Sequence, residues 1–271
     1  RPPANADEES AGFNSVQGAL TPSVTTVSLK VLKKTTSKST VAMAKEMGIE
    51  TDIPEVPSIA LGTPNVSLYE MVGAYTAFAN KGQVVKPRFL LRIEDNKGEV
   101  LQDFEEANKQ RAMSTRTAEL MLHMLKKVVD KGTANRLRSV YKLPNDIAGK
   151  TGTTQSHADG WFIGVTPNLV AGAWVGSDDP NIHFRTITYG QGAAMALPIW
   201  GRFMQQVNKD QQLSKVSSAR FAPLTYPLNE LTDCEDYRER RSVSDIFNRI
   251  LAGSKKKSSK RTRKTKKRKY R

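Results

Sequence analysis

The sequence predicts an α+β fold in which an antiparallel β-sheet is flanked by helices. Helical patterns dominate the first half of the chain, whereas strand patterns cluster between residues 146 and 175. Two of these strands are joined only by Thr166-Pro167-Asn168, a turn too short for a parallel crossover. Because strands and helices hardly alternate and no internal repeat is present, the layout is that of an α+β domain and not of a doubly wound one.

Helices are predicted where apolar residues recur at helical spacing between recognisable end signals. Ser67 and Glu70 have the spacing of a capping box, which opens one of these helices. Gly48 suits the left-handed position that closes another. The predicted helical segments are 24–34, 39–47, 67–82, 114–130 and 196–207.

Strands are predicted from short β-favouring runs bounded by turn residues. Residues 88–94 and 99–104 flank Asp95-Asn96-Lys97-Gly98, a sequence typical of a hairpin turn. Three further strands are predicted at 146–154, 160–165 and 169–175, the last two pairing antiparallel. Trp161, Phe162 and Trp174 lie on these strands and are expected in the core.

The net charge divides the chain into a nearly neutral body and a basic tail. The formal charge is +15, and residues 254–271 hold twelve Lys or Arg and no acid, which leaves +3 for the rest. We expect residues 1–209 to form the domain, 210–253 to be a linker or annex with a short helix at 244–251, and 254–271 to be disordered. The basic residues of 255–271 either bind an anionic polymer or only solubilise the chain.

Composition excludes several classes of protein. No apolar run approaches the roughly 18 residues of a membrane helix. A single cysteine, Cys234, excludes an internal disulfide framework, and three scattered histidines make a histidine-rich metal site improbable, so neither metal nor cofactor is expected. The chain begins at Arg1 instead of Met, and we expect a longer protein to contain it.

The most pointed local feature is Gly149-Lys150-Thr151-Gly152-Thr153-Thr154. A phosphate loop is disfavoured because Pro144 stands where that motif requires a glycine and strand-like sequence follows. Alternation along a strand places Lys150 and Gly152 on one face and Thr151 and Thr153 on the other, unless twisting at the edge of the sheet changes their directions. Lys150 then either binds a carboxylate or oxyanion at a cleft or is an ordinary solvated edge lysine.

The surrounding sequence favours the first interpretation. The stretch AGKTGTTQSHADGWFIGVTPNLVAGAWVGSDDP resembles the penicillin-binding transpeptidase family, and most of all its bifunctional class A type. The segments SIALGTPNVSLYEMVGAYTAFANKG, GTANRLRSVYKLPND and ALPIWGRFM extend the resemblance over roughly Ala19 to Met204. The family combines Ser-x-x-Lys, Ser-x-Asn and Lys-Thr-Gly motifs on a sheet flanked by helices.

The resemblance implies a peptidoglycan D,D-transpeptidase. In this family a serine attacks the penultimate D-alanine carbonyl of a stem peptide, expels the terminal D-alanine and passes the acyl group to an amine, and β-lactams mimic the donor. The resemblance further implies that the protein acts at the extracytoplasmic face of the inner membrane. It also implies that a membrane anchor and a glycosyltransferase domain precede these residues in a longer protein. A D,D-carboxypeptidase or β-lactamase-like hydrolase, and a non-catalytic module that binds polymer through its basic tail, remain alternatives.

By the same resemblance, the third motif binds the substrate through Lys150, Thr151, Gly152 and Thr153. Lys150 and Thr153 are also expected to be catalytic, the Thr153 N–H as an oxyanion donor. Ser23 falls where the serine of the second motif belongs and would help to protonate the leaving group. Thr25 replaces the asparagine of that motif, and a threonine hydroxyl lacks the two N–H donors of an amide.

The nucleophile is not in the sequence at the expected place. Residues 1–22 contain no Ser-x-x-Lys, and the matches at Ser139–Lys142 and Ser254–Lys257 are in the wrong order relative to the other motifs. We therefore expect the nucleophile upstream in a longer protein and expect these 271 residues alone to be inactive. His157 and Asp159 invite a triad interpretation, but a polar turn is the simpler expectation.

Overall fold

The computed structural model describes residues 15–104, 109–179 and 181–224. The α-helices in chain order are α1 (Val16–Leu20), α2 (Thr25–Thr35), α3 (Ser37–Glu46), α4 (Leu68–Ala79), α5 (Thr115–Lys131), α6 (Arg136–Ser139), α7 (Ile187–Gly190), α8 (Gly192–Lys209) and α9 (Ser214–Ser217). The strands are β1 (Gln83–Val84), β2 (Arg92–Glu94), β3 (Val100–Asp103), β4 (Gln110–Arg111), β5 (Ala148–Thr153), β6 (Asp159–Thr166) and β7 (Leu169–Gly176). Short 3₁₀ turns occupy Pro57–Leu61, Gln155–His157 and Gln211–Leu213.

The predicted elements are confirmed with shifted ends. The hairpin forms between β2 and β3, although β2 begins at Arg92 and not at 88. The last predicted helix starts at Gly192, four residues before the expected 196, and runs to Lys209. The helix predicted at 244–251 and the tail 254–271 lie outside the described residues.

The three-strand sheet has the order β5-β6-β7 and is antiparallel throughout, as the short Thr166–Asn168 connection required. Helices cover both faces. A side chain at Gly172 would meet Leu68 and Val72 of α4, whereas one at Gly164 would meet the ring of Trp200 on α8. Because adjacent residues of a strand point to opposite faces, α4 and α8 lie on opposite sides of the sheet.

The larger core lies between the sheet and α8. Trp200 is 2% exposed, stacks edge-on against Phe162 at 5.3 Å and donates from its indole nitrogen to the Ala171 carbonyl at 3.0 Å. Phe162 is fully buried, as predicted, but Trp174 is 38% exposed. The core prediction was wrong for Trp174, whose ring lies edge-on to Trp161 at 6.3 Å and whose indole N–H donates to the Asp159 carboxylate at 3.3 Å.

The chain after α8 returns to the sheet. Asn145 is 2% exposed, exchanges two amide hydrogen bonds of 2.8 Å with Asn208 and donates to the Ser217 carbonyl at 2.8 Å. The Phe221 N–H donates to the Asp146 carboxylate at 3.0 Å. These bonds connect residues beyond 209 to the start of β5, and the position of the domain boundary stays a prediction.

Glu70 connects the start of α4 to the loop after α3, and its replacement should expose that role. Its carboxylate accepts hydrogen bonds from the backbone N–H groups of Ser67, Glu50 and Thr51 at 2.7–3.0 Å and from two hydroxyls. Chiefly because of the Ser67 N–H, the pKa of Glu70 is lowered from 4.5 to about 2. This carboxylate therefore stabilises the fold fully above pH 4.5, and the stabilisation is lost as the pH falls toward 2.

We expect Glu70→Gln to lower the free energy of unfolding at pH 7 by about 1–3 kcal/mol, because a neutral amide replaces the acceptor of several N–H donors. It should also flatten the fall in stability between pH 4.5 and 2. Urea unfolding at several pH values measures both effects, and Glu55→Gln at an exposed position is the control. Equal unfolding curves for the two variants would contradict this role.

Candidate active site

The structure brings Ser23 and Lys150 together across 127 positions of the chain. The Lys150 ammonium on β5 donates to the Ser23 hydroxyl at 2.8 Å and to the Thr151 carbonyl at 2.8 Å. Ser23 lies in the turn between α1 and α2, is exposed and has a φ of 64°. Left-handed backbone at a residue other than glycine is uncommon and tends to occur at functional sites.

Ser23 is not explained as a helix-capping serine. The N-cap of α2 is Val24, and no side chain caps this helix. The hydroxyl of Ser23 instead accepts the Lys150 hydrogen bond, while its backbone N–H donates to the Leu20 carbonyl at 3.2 Å. The serine hydroxyl thus faces β5.

The Lys150 ammonium loses its proton at a lower pH than an ordinary lysine does. Burial lowers the pKa of its ammonium from 10.5 to about 8. The ammonium donates to a neutral hydroxyl and to a neutral carbonyl, which stabilise its charge less than a carboxylate does. A ligand carboxylate placed at Lys150 would gain a strong hydrogen bond and raise that pKa again.

The hydroxyls of Thr151 and Thr153 have partners other than Lys150. The Thr151 hydroxyl lies 2.6 Å from the Thr133 hydroxyl, and the Thr153 hydroxyl accepts from the Gly192 N–H at 3.0 Å. In each case the threonine can still donate its own proton to a ligand, for Thr151 when Thr133 is the donor of the pair. Thr153 is exposed, so its hydroxyl is within reach of a ligand.

The backbone of β5 presents donors along its outer side. The Thr154 N–H donates to the Asp159 carbonyl of β6 at 3.3 Å. Hydrogen-bonded and non-hydrogen-bonded positions alternate in an antiparallel pair, so the N–H groups of Thr153 and Thr151 point away from β6. Among the described residues, β5 pairs only with β6. The Thr153 N–H is therefore placed where it could donate a hydrogen bond to an oxyanion.

A side chain at Gly152 would point towards Trp161. A Cβ at Gly152 would lie 3.0 Å from the Trp161 Cβ, which is tighter than ordinary contact. Because Gly152 has no Cβ, β5 can pair closely with β6 beside Lys150. That Gly152 also lets a ligand backbone approach stays a prediction. Thr25 is the first residue of α2 and is half-buried, two residues after Ser23, and its role likewise stays a prediction.

Sequence reasoning missed Thr133 and Gly192 as neighbours of the site. Thr133 follows α5; its N–H donates to the Thr21 carbonyl at 3.3 Å while its hydroxyl contacts Thr151. It therefore joins the segment before Ser23 to β5. Both residues lie in segments that carry the family resemblance, GTANRL and the run leading into ALPIWGRFM, but only the folded chain shows what they touch.

His157 and Asp159 form no triad. Asp159 accepts from the Trp174 indole, and the buried Nδ1 of His157 and Oδ1 of Asp159 each lack a hydrogen-bond partner. Within residues 15–104, 109–179 and 181–224, no group of three or more His, Cys, Asp or Glu side chains is placed to hold a metal ion. Over the same part of the chain, no helix is both long and apolar enough to cross a membrane.

The fold and the Ser23–Lys150 pair define a penicillin-binding transpeptidase domain. The family model described as "Penicillin binding protein transpeptidase domain" matches residues 4–178, and the chain belongs to this family. Among its relatives, penicillin-binding protein 1A of Aquifex aeolicus is 33% identical over 207 residues, which are 76% of this chain and 27% of that protein. Penicillin-binding protein 1A of Pseudomonas aeruginosa is 29% identical over 282 residues, covering 82% and 33%.

Solved structures agree on the fold. The crystal structure of penicillin-binding protein 1A from Haemophilus influenzae superposes with a TM-score of 0.71 at 23% identity, over 83% of this chain and 38% of that one. The PonA1 protein from Mycobacterium tuberculosis, in complex with penicillin V, superposes with a TM-score of 0.69 at 22% identity, over 82% and 62%. The chain thus spans between about a quarter and a third of the curated relatives cited here.

Proposed function

We propose that this chain forms the carboxylate-binding wall of a peptidoglycan D,D-transpeptidase that acts on D-Ala-D-Ala stem peptides. The observation that carries the proposal is the 2.8 Å contact between the Lys150 ammonium and the Ser23 hydroxyl, beside the outward N–H of Thr153. Family membership supports the reaction class, and the penicillin V bound to PonA1 supports β-lactams as donor mimics.

In the proposed reaction the terminal carboxylate of the donor peptide binds to Lys150 and to the hydroxyls of Thr151 and Thr153. The nucleophilic serine of a Ser-x-x-Lys motif, supplied from outside these 271 residues, gives its proton to the lysine of that motif and bonds to the penultimate D-alanine carbonyl carbon. The peptide bond to the terminal D-alanine breaks when the resulting oxyanion collapses. The oxyanion that forms accepts the Thr153 N–H, a type of contact whose loss costs about 3 kcal/mol of barrier in comparable sites.

Ser23 then passes a proton to the amine of the departing D-alanine. Its hydroxyl can give its proton to the leaving amine, and the Lys150 ammonium 2.8 Å away can replace that proton. The acyl group finally passes from the serine to an amine of a second stem peptide, which forms the crosslink and frees the serine. We propose the extracytoplasmic side of the cell envelope as the place of this reaction, since peptidoglycan is assembled there.

Labelling by a fluorescent penicillin tests the proposal. We expect the intact protein, meaning the natural chain that contains these residues together with its Ser-x-x-Lys, to be labelled covalently, and the 271-residue chain to remain unlabelled. Incubation with peptidoglycan precursors and product analysis should yield crosslinked dimers. An intact protein that is not labelled would refute the proposal. Products that are trimmed monomers without crosslinked dimers would show a carboxypeptidase and not a transpeptidase.

A further inference from the structure

Helix α8 approaches the site strand unusually closely at its first residue. Gly192 is buried, and a Cβ on it would lie 2.2 Å from the Gly152 carbonyl oxygen and 2.5 Å from that of Trp161. Both obstacles are backbone atoms of paired strands, which cannot rotate away as a side chain can. Only a glycine therefore allows α8 to begin at this distance from β5 and β6.

The close approach delivers a backbone donor to a residue of the proposed site. The Gly192 N–H reaches the Thr153 hydroxyl at 3.0 Å. The first turn of α8 is secured from the other side as well, because Arg136 donates to the Ala193 carbonyl at 3.1 Å. The contact with Thr153 thus belongs to a helix start that is fixed at two points.

The direction of this hydrogen bond decides what Thr153 can offer. A hydroxyl has one proton to donate and accepts through its lone pairs. Since an N–H already occupies an acceptor position, the proton of the Thr153 hydroxyl is left to point elsewhere, and accepting one bond strengthens the bond that the hydroxyl donates. Thr153 is exposed, so a ligand can reach its hydroxyl.

We propose that Gly192 is a positioning residue, whose N–H fixes the Thr153 hydroxyl as a donor to the carboxylate of the ligand. This inference rests on the proposed function, because it needs a ligand carboxylate at Thr153. It extends that function by assigning the orientation of one binding hydroxyl to a helix 39 positions further along the chain. Gly192 itself does not contact the ligand.

Acylation kinetics of the intact protein with a penicillin and with its methyl ester test this role. We expect Gly192→Ala to slow acylation by the penicillin about tenfold to 100-fold, since an oriented hydrogen bond to a charged group is lost. The ester lacks the carboxylate charge, so its acylation should change less than about threefold. Gly201→Ala is the control on the same helix: its Cβ would lie 2.9 Å from the Tyr141 ring, and Gly201 has no hydrogen bond to Thr153.

A double variant separates positioning from general disturbance of the fold. If Gly192 acts through the hydroxyl, Gly192→Ala combined with Thr153→Val should be no slower than Thr153→Val alone. Additive losses, or an equal slowing of acid and ester, would overturn the inference. Acylation of the Gly192→Ala variant at the wild-type rate would also overturn the inference.

Failure of the inference and failure of the proposed function give different results. If the unaltered intact protein reacts with neither penicillin nor ester, the proposed function fails and the inference fails with it. If the unaltered protein reacts and Gly192→Ala reacts equally fast, only the inference is lost. Hydrogen exchange of the Gly192 amide reads the contact itself: exchange should accelerate in Thr153→Val, and unchanged exchange would show that the bond is not made.

Discussion

Replacing Lys150 by alanine in the intact protein should slow acylation by a penicillin about 100-fold to 1,000-fold. The change removes the ammonium that donates to the Ser23 hydroxyl at 2.8 Å. In the proposed function this ammonium is both the charged donor for the carboxylate and the proton source for the serine. Lys97→Ala, at an exposed position in the β2–β3 turn, removes an equal charge and should leave the rate unchanged. Labelling at the wild-type rate by Lys150→Ala would remove this residue from the site.

The pH dependence gives the same prediction a second measurement. Because the pKa of Lys150 is about 8, penicillin should bind with constant affinity at lower pH and more weakly as the ammonium loses its proton above pH 8. Stability changes in the opposite direction. The folded pKa lies below the ordinary 10.5, so the folded state holds fewer protons between those values and stability rises with pH there. Lys150→Met should abolish both dependences.

The site could be predicted from sequence as far as its motifs reach. Ser23 and Lys150 were paired by their resemblance to successive family motifs, and the contact between them is present. Strand alternation alone predicted that Lys150 and Thr153 start from opposite faces of β5, and the register of β5 against β6 agrees with it. These inferences depended on local pattern or on a motif, and neither required the course of the chain in space.

The contacts of Thr133 and Gly192 could not be predicted in this way. Each depends on where a loop or a helix start comes to rest on β5, which is a matter of packing between distant segments. The start of α8 was placed too late because its apolar periodicity is clearest from Ala196 and because Pro198 is ordinarily unfavourable inside a helix. The Gly192-Ala193-Ala194 run carries little periodic signal, yet the missing side chain of Gly192 is what allows the close approach.

The second large effect is on stability, and it concerns the helix that positions Gly192. Trp200→Ala should lower the free energy of unfolding by about 3–5 kcal/mol, the range for deleting a buried aromatic side chain. Trp200 fills the space left by Gly164, where a Cβ would lie 2.3 Å from its ring, and its indole N–H satisfies the Ala171 carbonyl. The substitution therefore leaves a cavity and removes the hydrogen bond to the Ala171 carbonyl.

Phe203→Ala is the matched control, because Phe203 lies on the same helix but is 45% exposed. It should cost less than about 1 kcal/mol, as surface substitutions usually do. Urea unfolding of the 271-residue chain compares the two, and equal losses would show that α8 does not pack through Trp200. Trp200 and Gly192 are eight residues apart on one helix, or about 12 Å. If α8 moves as one body, Trp200→Ala should also speed hydrogen exchange of the Gly192 amide, whereas Phe203→Ala should not.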